Sequence, residues 1–116
     1  IATAYKESIN QAVKKYYEDG GLKVLAIKGL EASKPVDQVK LPDYASYKVA
    51  RDLFLQHPDV DSLLIQGRWR SVVYVQELED DTGRAVVSST AASLWWVMNT
   101  LGMKPSIAGF GKLLGG

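Results

Sequence analysis

The chain has 116 residues, 14 Lys+Arg against 13 Asp+Glu, one His and no Cys. That length suits one domain able to bury a core of its own, and a formal charge of +1 without a basic cluster excludes the electrostatic footprint of a nucleic-acid binder. No apolar run reaches the roughly 18–20 residues of a membrane span, and zero cysteines with a single His excludes thiol catalysis, disulfides and any recognisable zinc-ligand spacing within the chain.

The first residues, Ile1-Ala2-Thr3-Ala4-Tyr5, read as the end of a buried strand whose beginning lies upstream. No signal-peptide n-region precedes them, and a cytoplasmic setting is the expectation. From Ser8 to Asp19, residues Ile9, Ala12, Val13, Tyr16 and Tyr17 fall on one helical stripe, which Gly20-Gly21 ends. Leu22 to Lys28 predicts a second strand, apolar as buried parallel strands are. Gly29 to Pro42, with two prolines and mixed charge, predicts a long loop.

Asp43 is the expected N-cap of a helix to about Gln56, with Tyr47, Ala50, Leu53 and Phe54 on one face and His57-Pro58 as its stop. Asp61 to Ile65 predicts a third strand and Gln66-Gly67-Arg68 the turn after it. Trp69, flanked by Arg68 and Arg70, fits either a site or a solvated turn with a stacked indole. Ser71 to Asp81 contains the strand-like Val72-Val73-Tyr74-Val75, but the acidic run after it and Gly83 favour a helix. Ala85 to Ser88 is the fourth strand. Ser88-Ser89-Thr90 then cap a helix through Leu101, stopped by Gly102, and residues 103–116 form a Gly-rich tail without regular period. The order β-α-β-α-β-α-β-α predicts a single α/β domain over residues 1–116: a four-stranded parallel sheet flanked by helices in a Rossmann-like or flavodoxin-like three-layer arrangement.

Ligands of open parallel sheets bind beyond the carboxyl ends of the strands. Three such ends carry polar groups: Tyr5-Lys6, Gln66-Gly67-Arg68 and Ser88-Ser89-Thr90. Hydroxyls, free backbone N–H groups and helix dipoles on one rim suit an anion such as a carboxylate. Each also has a structural explanation, Ser88-Ser89-Thr90 as a cap above all. Gly109-Phe110-Gly111-Lys112 follows no strand and precedes no Ser or Thr, so it is no phosphate loop, and no G-x-G-x-x-G stands at a strand-to-helix turn. Trp95 and Trp96 point about 100° apart on one helix. One small domain cannot easily bury both, so this helix is expected to contact a second domain or subunit.

Trp69-Arg70-Ser71, Ala85-Val86-Val87-Ser88-Ser89 with the Trp-bearing helix, and Gly109-Phe110-Gly111-Lys112-Leu113-Leu114 together resemble the C-terminal part of the aspartate/glutamate racemase superfamily, in its maleate isomerase and arylmalonate decarboxylase branch. Ala2-Thr3-Ala4-Tyr5 followed by Asn10 is similar to the strand and helix that open the second half of such proteins. The resemblance covers nearly the whole chain but one half of a family member. It implies two similar α/β halves with the active site between them, no cofactor and no metal, and cysteines acting on the carbon beside a carboxylate. By the resemblance Gln66 stands where the second-half cysteine belongs. Tyr5, Asn10, Gly67, Arg68, Ser88 and Ser89 are the implied substrate-binding positions, and Pro35 is the nearest counterpart of a loop asparagine. The implied function is isomerase, decarboxylase or racemase chemistry on small carboxylic or dicarboxylic acids. The alternative is an inactive carboxylate-binding or oligomerisation domain of the same fold. The implied partners are a small carboxylate, the missing N-terminal half or a second subunit against the Trp95/Trp96 helix, and further copies of the chain in a homo-oligomer, with no nucleic acid and no membrane. A free-standing flavodoxin-like signalling module lacks the acidic cluster or phosphate loop such domains carry.

Overall fold

In a computed structural model that describes residues 1–32 and 34–116, helices flank a parallel sheet. The elements are β1 (Ala2–Thr3), α1 (Glu7–Asp19), α2 (Pro35–Val39), α3 (Ala45–Gln56), β2 (Ser62–Gln66), α4 (Val75–Thr82), β3 (Ala85–Ser88), α5 (Ser89–Thr100) and α6 (Lys112–Gly115). The strands pair in the order β1-β2-β3, all parallel. Ala2 lies opposite Ile65 and Thr3 opposite Gln66; Ile65 in turn lies opposite Ser88.

Side-chain alternation along the strands divides the sheet into two faces. Ala2, Ala4, Leu63, Ile65 and Val86 join Val49, Ala50, Leu53 and Phe54 of α3 and Val75 and Leu78 of α4 in one buried cluster. Thr3 and Gln66 point the other way, toward α1.

The expected fourth strand is not formed: among the described residues the sheet has three strands. Leu22–Lys28 meets the β1 segment only over its last three residues, where Lys28 bridges Ala2, its N–H donates to Ile1 O at 3.0 Å, its carbonyl accepts from Thr3 at 2.9 Å, and Ala26 O accepts from Ile1 N at 2.8 Å. Leu22 and Leu25 are exposed, so the apolar run does not report burial. A strand needs a neighbour along its length, and β1 is two residues long.

Smaller differences have local causes. The expected loop contains α2, started by Pro35, whose fixed φ suits the first turn. Asp43 does not cap α3: Ala45 N–H donates to Pro42 O at 2.9 Å, a turn that delays the helix to Ala45. Residues 72–74 form a 3-10 turn, the valines tightening the entry to α4, which ends at Gly83 in the left-handed conformation (φ 66°). Trp69 is buried in the core and not stacked at a solvated turn. The tail is fixed by Glu79, whose carboxylate accepts from Val86 N–H at 3.1 Å and Lys112 N–H at 2.9 Å, joining α4, β3 and α6. No helix is long and apolar enough to cross a membrane among the described residues.

Candidate active site

Parallel pairing brings the three strand ends level. Gln66 closes β2 beside Thr3, and Ser88 closes β3 beside Ile65. Tyr5 follows β1 on the same rim, half-buried, as Gln66 and Gly67 are; Arg68 is exposed.

Asn10 sits behind this rim on the first turns of α1 and is fully buried. Its Oδ1 accepts the Thr3 hydroxyl at 2.5 Å, and Thr3 Oγ1 accepts from the Tyr5 N–H at 3.1 Å. Its Nδ2 has no partner among the described residues. A buried amide nitrogen without a partner is costly to maintain. Gly29 makes the arrangement possible, because a Cβ there would stand 2.1 Å from Tyr5 O and 2.7 Å from both Asn10 Nδ2 and Thr3 Oγ1. The structure therefore places Asn10 as the support of the β1 end.

Gln66 projects toward α1, where its Oε1 accepts the Tyr17 hydroxyl at 2.9 Å. Burial, followed by the neighbouring Tyr16 and Tyr5 rings, pushes the Tyr17 phenol above its ordinary pKa, so it stays a neutral donor. Gly67 adopts φ 130°, a backbone state that strains side-chain-bearing residues, and a Cβ would lie 3.0 Å from Ala4 Cβ. The Arg68 N–H, expected to face a ligand, donates instead to Oε1 of the buried Gln38 at 2.9 Å.

Ser88 is fully buried and is the N-cap of α5, its Oγ accepting from Ala91 N–H at 3.1 Å. Ser89 begins the helix half-exposed, and its carbonyl accepts the Ser93 hydroxyl. The rim thus brings Tyr5, Gln66, Gly67, Ser88 and Ser89 together, with Arg68 at its edge and Asn10 behind it. Sequence reasoning missed Tyr17 and Gln38. Tyr17 counted only as a stripe residue, although a half-buried phenol needs a hydrogen-bond partner. Gln38 lay in a segment taken for loop. Among the described residues no group of three or more His, Asp or Glu is placed to hold a metal ion.

Residues 1–114 match the family described as arylmalonate decarboxylase. The chain belongs to this family. Its fold is that of one half of the solved structures it resembles. Nocardia farcinica maleate cis-trans isomerase bound to TRIS superposes with a TM-score of 0.90 at 23% identity, over 97% of this chain and 46% of that one. Unliganded arylmalonate decarboxylase gives 0.85 at 22% identity, over 98% and 49%. The Pseudomonas putida maleate isomerase gives 0.84 at 22%, over 99% and 46%. The chain therefore spans about half the length of these family structures. No curated protein matches it.

Proposed function

We propose that the chain is the C-terminal half of a cofactor-independent family member that acts on small carboxylic or dicarboxylic acids in a cleft completed by a second α/β half. The carrying observation is the level alignment of the three strand ends, which puts Tyr5, Gln66-Gly67 and Ser88-Ser89 on one rim. A carboxylate bound there meets the Tyr5 and Ser89 hydroxyls and the positive end of α5. Fixed dipoles of this kind stabilise negative charge on an enolate-like intermediate without reorganising. Gln66 stands at the position of the family thiol; its carboxamide can donate and accept hydrogen bonds but cannot transfer a proton at neutral pH. The proton-transferring group therefore comes from the opposite half. α5 supplies the surface for that half or for a second copy of the chain, through Leu94, Trp95, Trp96 and Val97, all exposed.

Titration of the chain with maleate and with an aryl malonate, followed by amide NMR, tests the rim. Shifts are expected at Tyr5, Gly67 and Ser89, and Tyr5→Phe weakens binding by about ten- to a hundredfold, the worth of one hydrogen bond to a charged group. Equal affinity of wild type and variant removes Tyr5 from the site.

One observation favours a second reading, a carboxylate-binding or assembly domain without catalysis. The Gln66 oxygen and the Arg68 N–H are already satisfied within the chain, by Tyr17 and Gln38. Turnover by a two-half protein carrying Gln66 supports the enzyme; turnover only after Gln66→Cys supports the assembly domain.

A further inference from the structure

Three carboxamides gather at the carboxyl end of the sheet, and in each of them the oxygen is engaged. Asn10 Oδ1 accepts the Thr3 hydroxyl, Gln38 Oε1 accepts the Arg68 N–H at 2.9 Å, and Gln66 Oε1 accepts the Tyr17 hydroxyl at 2.9 Å. The nitrogens differ. Asn10 Nδ2 is buried without a partner, and Gln66 Nε2 makes no hydrogen bond among the described residues. A carboxamide accepts at its oxygen and donates at its nitrogen, so holding the oxygen decides which end is left to present.

Two of these contacts come from one side of α1. Asn10 and Tyr17 stand about two turns apart on the helix, hence on the same face. They meet Thr3 and Gln66, which are paired across β1 and β2. At the first point the helix offers an amide to a strand hydroxyl, and at the second it offers a hydroxyl to a strand amide. Tyr5 lies close enough to act on the Tyr17 phenol, which burial keeps neutral and able to donate. Its proton goes to the acceptor in reach, the Gln66 oxygen.

We infer that Tyr17 is a positioning residue that holds Gln66 as a one-way donor, its Nε2 hydrogens turned to the ligand on the rim, and that the rim thereby selects a carboxylate over a carboxamide at that point. The inference rests on the proposed carboxylate site and adds what Gln66 does there. A carboxylate oxygen only accepts, so it satisfies the Gln66 nitrogen. A ligand carboxamide brings an N–H2 of its own, and set against Gln66 it leaves donors facing each other unpaired. Phenylalanine at position 17 frees the Gln66 amide to turn over, so that it accepts from a ligand amide as readily as it donates to a carboxylate.

The test titrates maleate and its monoamide, maleamate, into the chain and into its Tyr17→Phe, Gln66→Met and double variants, followed by NMR. The parent chain prefers maleate by about tenfold or more, and Gln66→Met weakens maleate by a similar factor. Tyr17→Phe weakens maleate by about three- to tenfold, the cost of ordering one side chain on binding, and lowers the preference for maleate over maleamate by about threefold or more. In the Gln66→Met background Tyr17→Phe has no further effect. Without any ligand, the Gln66 side-chain carbonyl resonance moves in Tyr17→Phe, as its hydrogen bond is lost. An unchanged preference in Tyr17→Phe, additive effects in the double variant, or an unmoved Gln66 carbonyl resonance overturns the proposal and leaves the carboxylate site standing. Binding of neither probe by any of the four chains removes the site itself, and the proposal with it.

Discussion

Helices α3 and α5 are both twelve residues long, and the more apolar of the two is the less buried. α3 alternates Arg51, Asp52 and Lys48 with an apolar stripe, and buries Ala45, Ser46, Val49, Ala50, Leu53 and Phe54. α5 carries Leu94, Trp95, Trp96 and Val97 in succession and buries Ala91 alone. Hydrophobicity states a preference for burial; a partner surface satisfies it. α3 has the sheet and α4, with Arg84 closing its end by lying 4.9 Å over the Phe54 ring. α5 has the edges of β2 and β3 and the short α6, which leave Trp96 68% exposed. This exposed apolar patch is the surface on which the proposed second half or second copy would dock.

The largest expected effect lies on the sealed side. Leu53→Ala leaves a cavity beneath β1 and destabilises by about 3 kcal/mol in urea unfolding; a loss below about 1 kcal/mol would mean that α3 is not the core helix.

On the α5 side the effects are smaller. Ser88→Ala removes the cap bond to Ala91 and costs about 1 kcal/mol, whereas Ser88→Asn retains most of it. Trp96→Ser changes unfolding stability by less than about 0.5 kcal/mol. It shifts sedimentation toward monomer at concentrations where the parent chain self-associates. A stability loss as large as that of Leu53→Ala would place Trp96 in the core and erase the contrast between the helices.

Much of this was legible along the chain. The helical span of α1, the β2 and β3 segments, the left-handed stop at Gly83 and the Ser88 cap all depend on neighbours within a few residues; the apolar stripe read on α1 is not its buried face, since Ala12 and Tyr16 are exposed and Asn10 is the buried residue. The three strand ends were legible as neighbours on one rim because parallel topology orders them. Tyr17 and Gln38 were not, since their partners Gln66 and Arg68 are 49 and 30 residues away. The Leu22–Lys28 run shows the same limit: its composition is that of a strand, but a strand exists only where another backbone lies alongside.

The sequence alone determined the α/β alternation, the absence of thiol and the polar character of the strand ends, because these follow from residue type and local spacing. The tertiary structure decided which polar groups are already engaged, that Asn10 supports the rim from behind, and that Trp69 is buried while Trp95 and Trp96 are not. It also decided that a cavity of about 270 Å³ lies between Gly21–Ala26 and Val60–Leu64. Each depends on backbone and side chains distant in sequence meeting in space, and hydrogen bonds and burial are properties of those meetings.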